Sequence, residues 1–267
     1  MGRKEDAGGL MRLAGKVALV TGASHERGIG RGIALALAAE GADVACSDIG
    51  FTAAGEELSA QLRDMGRRST FITADVSDRA SVDSLIDQVE AELGALDIVV
   101  SNAGVADWQA FTQITDESFD RIVAVNLTGA FNVGQAAARA MIRAGTGGRI
   151  VFTSSVHVQM GFPSMAIYGS TKQALRALAE TMAIELAPTG ITVNHIGPGW
   201  VKSQLNDSSP GLQTREDEEA TLRLIPIPRA SEAIEQGYAV AYLCSPEADY
   251  VTGEYLRVDG GFVVGKY

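Results

Sequence analysis

Residues 16–41, KVALVTGASHERGIGRGIALALAAEG, run from an unbroken apolar stretch through a glycine cluster into a segment of helical period. An apolar run bounded by glycine predicts a strand buried on both faces of a sheet, and the amphipathic stretch from Gly28 to Glu40 predicts the helix that follows it. Gly22, Gly28 and Gly30, with Ile29 between the last two, fall at the junction. There the lack of a Cβ lets the chain turn tightly and approach a pyrophosphate at the helix N-terminus. Ser24 is placed to add a hydroxyl to such a cradle. Five residues separate Gly22 from Gly28, a wider spacing than G-x-G-x-x-G, so the ordinary geometry does not carry over automatically to His25, Glu26 and Arg27.

The same alternation continues outward. ADVACSD, RSTFITAD, LDIVVSNAG, GRIVFTSS and ITVNHIGPG read as buried strands closed by Gly, Asn, Asp and Ser. Residues 52–65, 78–93, 116–144 and 166–187 carry helical period between them. Strand then helix, repeated, predicts an α/β fold: a Rossmann-type, doubly wound parallel sheet with helices on both faces. Residues 1–13 are polar and unpatterned and are expected to form a mobile leader. Residues 14–267 are expected to be a single domain, since no repeat or Pro-rich linker divides them.

Composition narrows the function. The chain has 267 residues, 46% hydrophobic and 21% charged, with a formal net charge of −11. Nucleic acid and anionic membrane both call for a basic surface, so neither is expected as a partner. No apolar run is long enough to span a bilayer, and the N-terminus lacks the apolar stretch of a signal peptide, so a soluble cytoplasmic protein is expected. Cys46 and Cys244 cannot build a disulfide framework and are expected to be buried thiols. The His residues form no ligand cluster, so no metal is expected.

Candidate site residues lie where strands end. Asp48 closes the second strand, where a carboxylate would accept from a ribose diol and repel a 2′-phosphate, favouring NAD over NADP. Arg27 argues the other way, because a guanidinium beside the phosphate loop could hold that phosphate. Asp75 and Val76 close the third strand; Asp75 could accept from an adenine amino group or cap the next helix. Asn102, Ala103 and Gly104 close the fourth. Asn126 sits inside a helical stretch, serving either structure or chemistry. Tyr168 and Lys172 are one helical turn apart, so both side chains reach one spot. A neighbouring ammonium at about 4 Å would attract a phenolate by an energy on the order of 4 kcal/mol, enough to bring the phenol toward a general acid/base near neutral pH.

Taken in order, TGASHERGIG, DV at 75–76, NAG at 102–104, Asn126, Ser155, YGSTK, PG at 198–199 and VTGEYLRVDGGF resemble the short-chain dehydrogenase/reductase superfamily. The resemblance implies a tetrad of Asn126, Ser155, Tyr168 and Lys172. Ser155 rather than Ser154 matches because the family sets its serine thirteen residues before the tyrosine. Tyr168 would exchange a proton with the substrate oxygen, which Ser155 would hold. Lys172 would lower the tyrosine's pKa and bind the nicotinamide ribose, and Asn126 would hold a relay water. Pro198, Gly199, Val201 and Ser203 would lie against the nicotinamide, and residues 203–228 would form a substrate flap. His157, Gln159 and Trp200 are expected around the substrate, and the string SSVH resembles bacterial glucose dehydrogenases, which points to a polyol or sugar. A homotetramer is implied. The expected activity is hydride transfer between NAD(H) and a secondary alcohol or ketone. The alternatives are an NADPH-dependent 3-oxoacyl carrier-protein reductase and a non-catalytic dinucleotide sensor.

Overall fold

A computed structural model describes residues 11–207 and 214–265. The first ten residues of the expected leader and residues 208–213 of the expected flap lie outside them. The seven strands are β1 (Val17–Thr21), β2 (Asp43–Asp48), β3 (Ser69–Thr73), β4 (Ile98–Ser101), β5 (Gly148–Thr153), β6 (Ile191–Pro198) and β7 (Tyr255–Val258). They form one sheet in the order β3-β2-β1-β4-β5-β6-β7, and every neighbouring pair is parallel. The connections are α1 (Ile29–Ala39), α2 (Thr52–Asp64), α3 (Arg79–Leu93), α4 (Asp116–Val123), α5 (Ala130–Ala144), α6 (Ala166–Leu186), α7 (Arg215–Arg223) and α8 (Ala233–Cys244). The doubly wound fold predicted from the strand and helix alternation is the fold observed.

Strand side chains alternate between two cores. Val17 and Leu19 join α3, α5 and α6 on one face, while Ala18 and Val20 join α1, α2 and α8 on the other. Both thiols are buried, which pushes each up to about 12. Sequence order reverses between β1 and β4, so the strand ends splay apart there and leave a crevice at the C-terminal edge of the sheet.

Three local differences from the sequence reading matter. Leader residues 12 and 13 belong to the fold: Leu13 is 1% exposed, and Arg12 pairs with Glu40 at 2.6 Å. The stretch 116–144 is not one α-helix, because a π turn at Ala124–Gly129 separates α4 from α5. The cap of α3 is Asp78, whose side chain accepts from the Ala80 N–H, whereas Asp75 makes its own turn by accepting from the Ser77 N–H and hydroxyl at 2.8 and 2.7 Å.

Candidate active site

One crevice of about 810 Å³ runs along the C-terminal ends of the strands. Gly22, Gly28 and Ile29 line one end of it, next to Asp48. Gly22 has φ +65°, a conformation that favours glycine, and a Cβ there would come within 2.7 Å of the Ala103 Cα. Gly30 lies behind the turn: a Cβ on it would stand 2.4 Å from the Gly22 carbonyl oxygen. The Asn102 amide ties the two strand ends together by donating to the Thr21 and Gly22 carbonyls, at 3.0 Å each. Asp75, Val76, Ala103 and Gly104 continue the lining toward the middle.

At the far end the expected chemistry residues converge. Ser155, Tyr168 and Lys172 all line the crevice and are all buried. Tyr168 and Lys172 come from the first turns of α6, and Ser155 follows β5. The Ser155 hydroxyl lies 2.8 Å from Nδ1 of His157 and also accepts from the His157 N–H. Its carbonyl accepts from the Tyr255 hydroxyl at 2.8 Å, so β7 braces it from behind. Ser154 faces elsewhere and donates to the Lys172 carbonyl at 3.1 Å. Pro198, Gly199, Trp200, Val201 and Ser203 form the side that follows β6.

The electrostatics overturn one expectation. Burial raises the Tyr168 phenol to about 12, and the hydrogen bond from Ser155 only partly offsets it. Lys172 does not acidify it as the helical spacing suggested. Its Nζ stands 5.5 Å from the phenol ring centre and donates instead to the Thr153 carbonyl at 2.8 Å. Burial also lowers Lys172 to about 8, since an ammonium without water loses its solvation. His157 is held down to about 4, by burial first and by the Lys172 charge second, so it is neutral at neutral pH.

Three further expectations are corrected. The Ser24 hydroxyl is fully buried and donates to Asp48 at 2.7 Å, so it serves the carboxylate rather than a phosphate cradle. Arg27 lies on a separate surface groove and pairs with Asp207 instead of reaching into the crevice. The Asn126 side chain ties down the neighbouring loop: Oδ1 accepts from the Val105 N–H at 2.8 Å and Nδ2 donates to the Val105 carbonyl at 2.9 Å. Gln159 is exposed and accepts from Arg257, outside the crevice.

Other lining residues escaped the sequence reading: Ile49 and Phe51 at the Asp48 end, and Trp108, Phe162, Met165 and Phe262 at the Tyr168 end. Their only sequence signal was an apolar or aromatic residue within a loop, which the tertiary fold alone brings to the site. The crevice fits a dinucleotide. It joins a backbone turn without Cβ atoms, a fixed carboxylate and a proton-transfer group, and the buried hydroxyls of Ser47 and Thr153 along it have no partner of their own. Among the described residues no group of His, Cys, Asp or Glu could hold a metal ion, and no helix is long and apolar enough to cross a membrane.

Comparison with known proteins bears directly on this geometry. A family profile described as Enoyl-(Acyl carrier protein) reductase matches residues 22–263. The 3-oxoacyl-(acyl-carrier-protein) reductase FabG of Escherichia coli (strain K12) is 38% identical over 253 residues, covering 94% of this chain and 98% of the relative. Sorbitol dehydrogenase of Cereibacter sphaeroides is 36% identical over 258 residues, covering 94% and 98%. The crystal structure of a gluconate 5-dehydrogenase from Burkholderia cenocepacia J2315, in complex with NADP and tartrate, superposes with a TM-score of 0.88 at 34% identity, covering 96% of this chain and 98% of that one.

Proposed function

The chain belongs to the short-chain dehydrogenase/reductase family of oxidoreductases, and from that premise we propose that it transfers a hydride between NAD(H) and the carbon of a secondary alcohol or ketone, with Tyr168 exchanging the accompanying proton. The observation that carries this reading is the convergence of Ser155, Tyr168 and Lys172 at one end of a crevice whose other end holds the Gly22 turn and Asp48. A nicotinamide dinucleotide bound there supplies or accepts the hydride. The protein's own part is alignment and proton handling. A phenol near 12 keeps its proton at neutral pH and so stands ready to give it to a ketone oxygen. The Ser155 hydroxyl holds that oxygen, and the Lys172 ammonium, which lines the same crevice, holds the nicotinamide ribose. Asn126, bonded at both ends to Val105, fixes the π turn beside this group.

NAD is the proposed cofactor. Asp48 is a fixed carboxylate on the crevice: Oδ2 accepts from the Ser24 hydroxyl and Oδ1 from the Ile49 N–H. A 2′-phosphate beside it would meet like charge, and Arg27, the guanidinium that could offset it, is engaged with Asp207. A 3-oxoacyl carrier-protein reductase is disfavoured by the net charge of −11, since an acidic carrier docks on basic residues. A sensor without turnover would have no use for the buried Tyr168–Lys172 pair. A homotetramer is proposed as well, in keeping with exposed apolar side chains such as Phe111, Ile184 and Tyr250, and light scattering on the purified protein tests it.

Tyr168→Phe tests the central reading. Turnover of a ketone substrate with NADH should fall at least about 1,000-fold, within the range contributed by a general acid, while NADH binding by fluorescence titration stays within a few-fold of wild type. A variant that keeps most of its rate would refute the proton-transfer role.

A further inference from the structure

We propose that the substrate is an uncharged secondary alcohol or ketone on a rigid apolar body, aromatic or alicyclic, and not a polyol, a sugar acid or a carrier-bound acyl thioester. The inference rests on the hydride-transfer reading above and concerns the same site.

The wall beyond Tyr168 is largely apolar, with the buried Trp108 Nε1 as a donor that has no partner. Trp108, Phe162, Met165, Trp200 and Phe262 line that part of the crevice. Phe262 and Val156 are buried with Ile225 in a small apolar cluster separate from the two cores of the sheet, with Phe162 and Trp200 packed against it. Rings follow one another outward from the phenol. His157 stands edge-on to Tyr168 at 5.2 Å, Phe162 is tilted against His157 at 4.5 Å, and Phe262 is tilted against Phe162 at 5.7 Å. A flat apolar substrate would continue this series and lose water from its surface in doing so.

Among the described residues most polar groups nearby are already committed. The Asp107 carboxylate pairs with Arg121 at 2.5 Å and accepts from the Ser118 hydroxyl at 2.6 Å. The Asn206 amide donates to the Val201 carbonyl, and the Lys172 ammonium to the Thr153 carbonyl. Gln159, the amide that would suit a polyol, is turned out to Arg257. Among the described residues a sugar acid would bury its carboxylate here without a free cation, and a polyol would bury most of its hydroxyls without partners; both costs are large. His157 adds one polar atom at most, since Nδ1 is taken by Ser155; its Nε2 and the Trp108 Nε1 are buried without partners. One or two substrate oxygens beside the reacting carbonyl would satisfy them; a chain of hydroxyls would not be served.

Steady-state rates of the full chain with NADH on 2-tetralone, D-fructose, 5-keto-D-gluconate and acetoacetyl-CoA decide the matter. The kcat/KM for 2-tetralone should exceed each of the others by on the order of 100-fold, the discrimination that apolar burial and unpaired polar groups supply. Trp200→Ala should raise the KM for 2-tetralone and narrow that gap. Faster turnover of fructose, keto-gluconate or the thioester, abolished by Tyr168→Phe, would overturn this inference and leave the oxidoreductase reading standing. NADH binding with no turnover of any of the four would overturn both.

Discussion

A buried phenol and a buried ammonium each titrate where loss of water puts them, which helical spacing alone does not disclose. Tyr168 and Lys172 are both raised or lowered chiefly by loss of water, the phenol to about 12 and the ammonium to about 8. Across neutral pH Tyr168 keeps its proton, so the group that changes state is Lys172, whose positive form disappears as pH rises through about 8. Ketone reduction should therefore hold level below that pH and decline above it, and Lys172→Met should remove the limb along with most of the rate. His157, neutral down to about 4, should add no limb near 6.5. A pH profile of kcat/KM checks both statements, and a reductive rate still rising past pH 9 would contradict the first. Asp48 acts at the other end of the crevice. Asp48→Ala removes the carboxylate that Ser24 and Ile49 fix in place, and it should shift the NADPH/NADH ratio of kcat/KM toward NADPH by on the order of tenfold. Wild-type protein that already prefers NADPH would refute the cofactor assignment.

Elements here approach more closely than side chains normally permit, and glycine is what allows it. A Cβ on Gly32 of α1 would stand 2.3 Å from the Ala233 carbonyl carbon, and one on Gly237 of α8 would stand 2.4 Å from the Gly32 carbonyl oxygen. Gly32→Ala should therefore push α8 away from α1 and cost roughly 1–3 kcal/mol, the usual penalty of overpacking, read from the urea midpoint. An unchanged midpoint would show that the helices separate freely. This contact also marks the limit of what was legible. KVALVTG and its fellow strands announced themselves by unbroken apolar runs, and α6 by its period, because burial on both faces or on one stripe writes a local pattern. The partnership of α1 with α8 leaves only scattered small residues in each helix, so no local pattern reports it. Tyr168, Lys172 and Ser155 were found by motif and do meet at the crevice. Arg27 and Gln159 were placed by position in the chain, and each instead found a partner its own neighbourhood could not reveal: Asp207 and Arg257. The apolar wall of Trp108, Phe162 and Phe262 comes from three distant loops, so only the folded chain assembles it.

The whole molecule carries a histidine that no site claims. His195 lies in β6 at 0% exposure, stacked on Tyr255 at 4.8 Å, and neither ring nitrogen has a hydrogen-bond partner. Burial lowers it to about 4; Glu180 works against that shift and Arg176 with it. In the unfolded chain the same imidazole would take a proton near 6.5. Between about 6.5 and 4 the unfolded state thus binds a proton that the folded state refuses, so stability is full above that window and is lost as pH falls through it. From pH 7 to pH 5 the loss from this one group is about 2 kcal/mol. His195→Phe keeps a ring against Tyr255 and removes two unpaired polar atoms, so it should be no less stable at pH 7. Its stability should then fall less steeply than wild type toward pH 5. Urea denaturation of both proteins at pH 7, 6 and 5 measures the difference directly, because the carboxylates that also titrate there are common to both. Parallel curves would mean that His195 takes up its proton in the folded sheet, and that β6 opens to water far more readily than its burial between β5 and β7 implies.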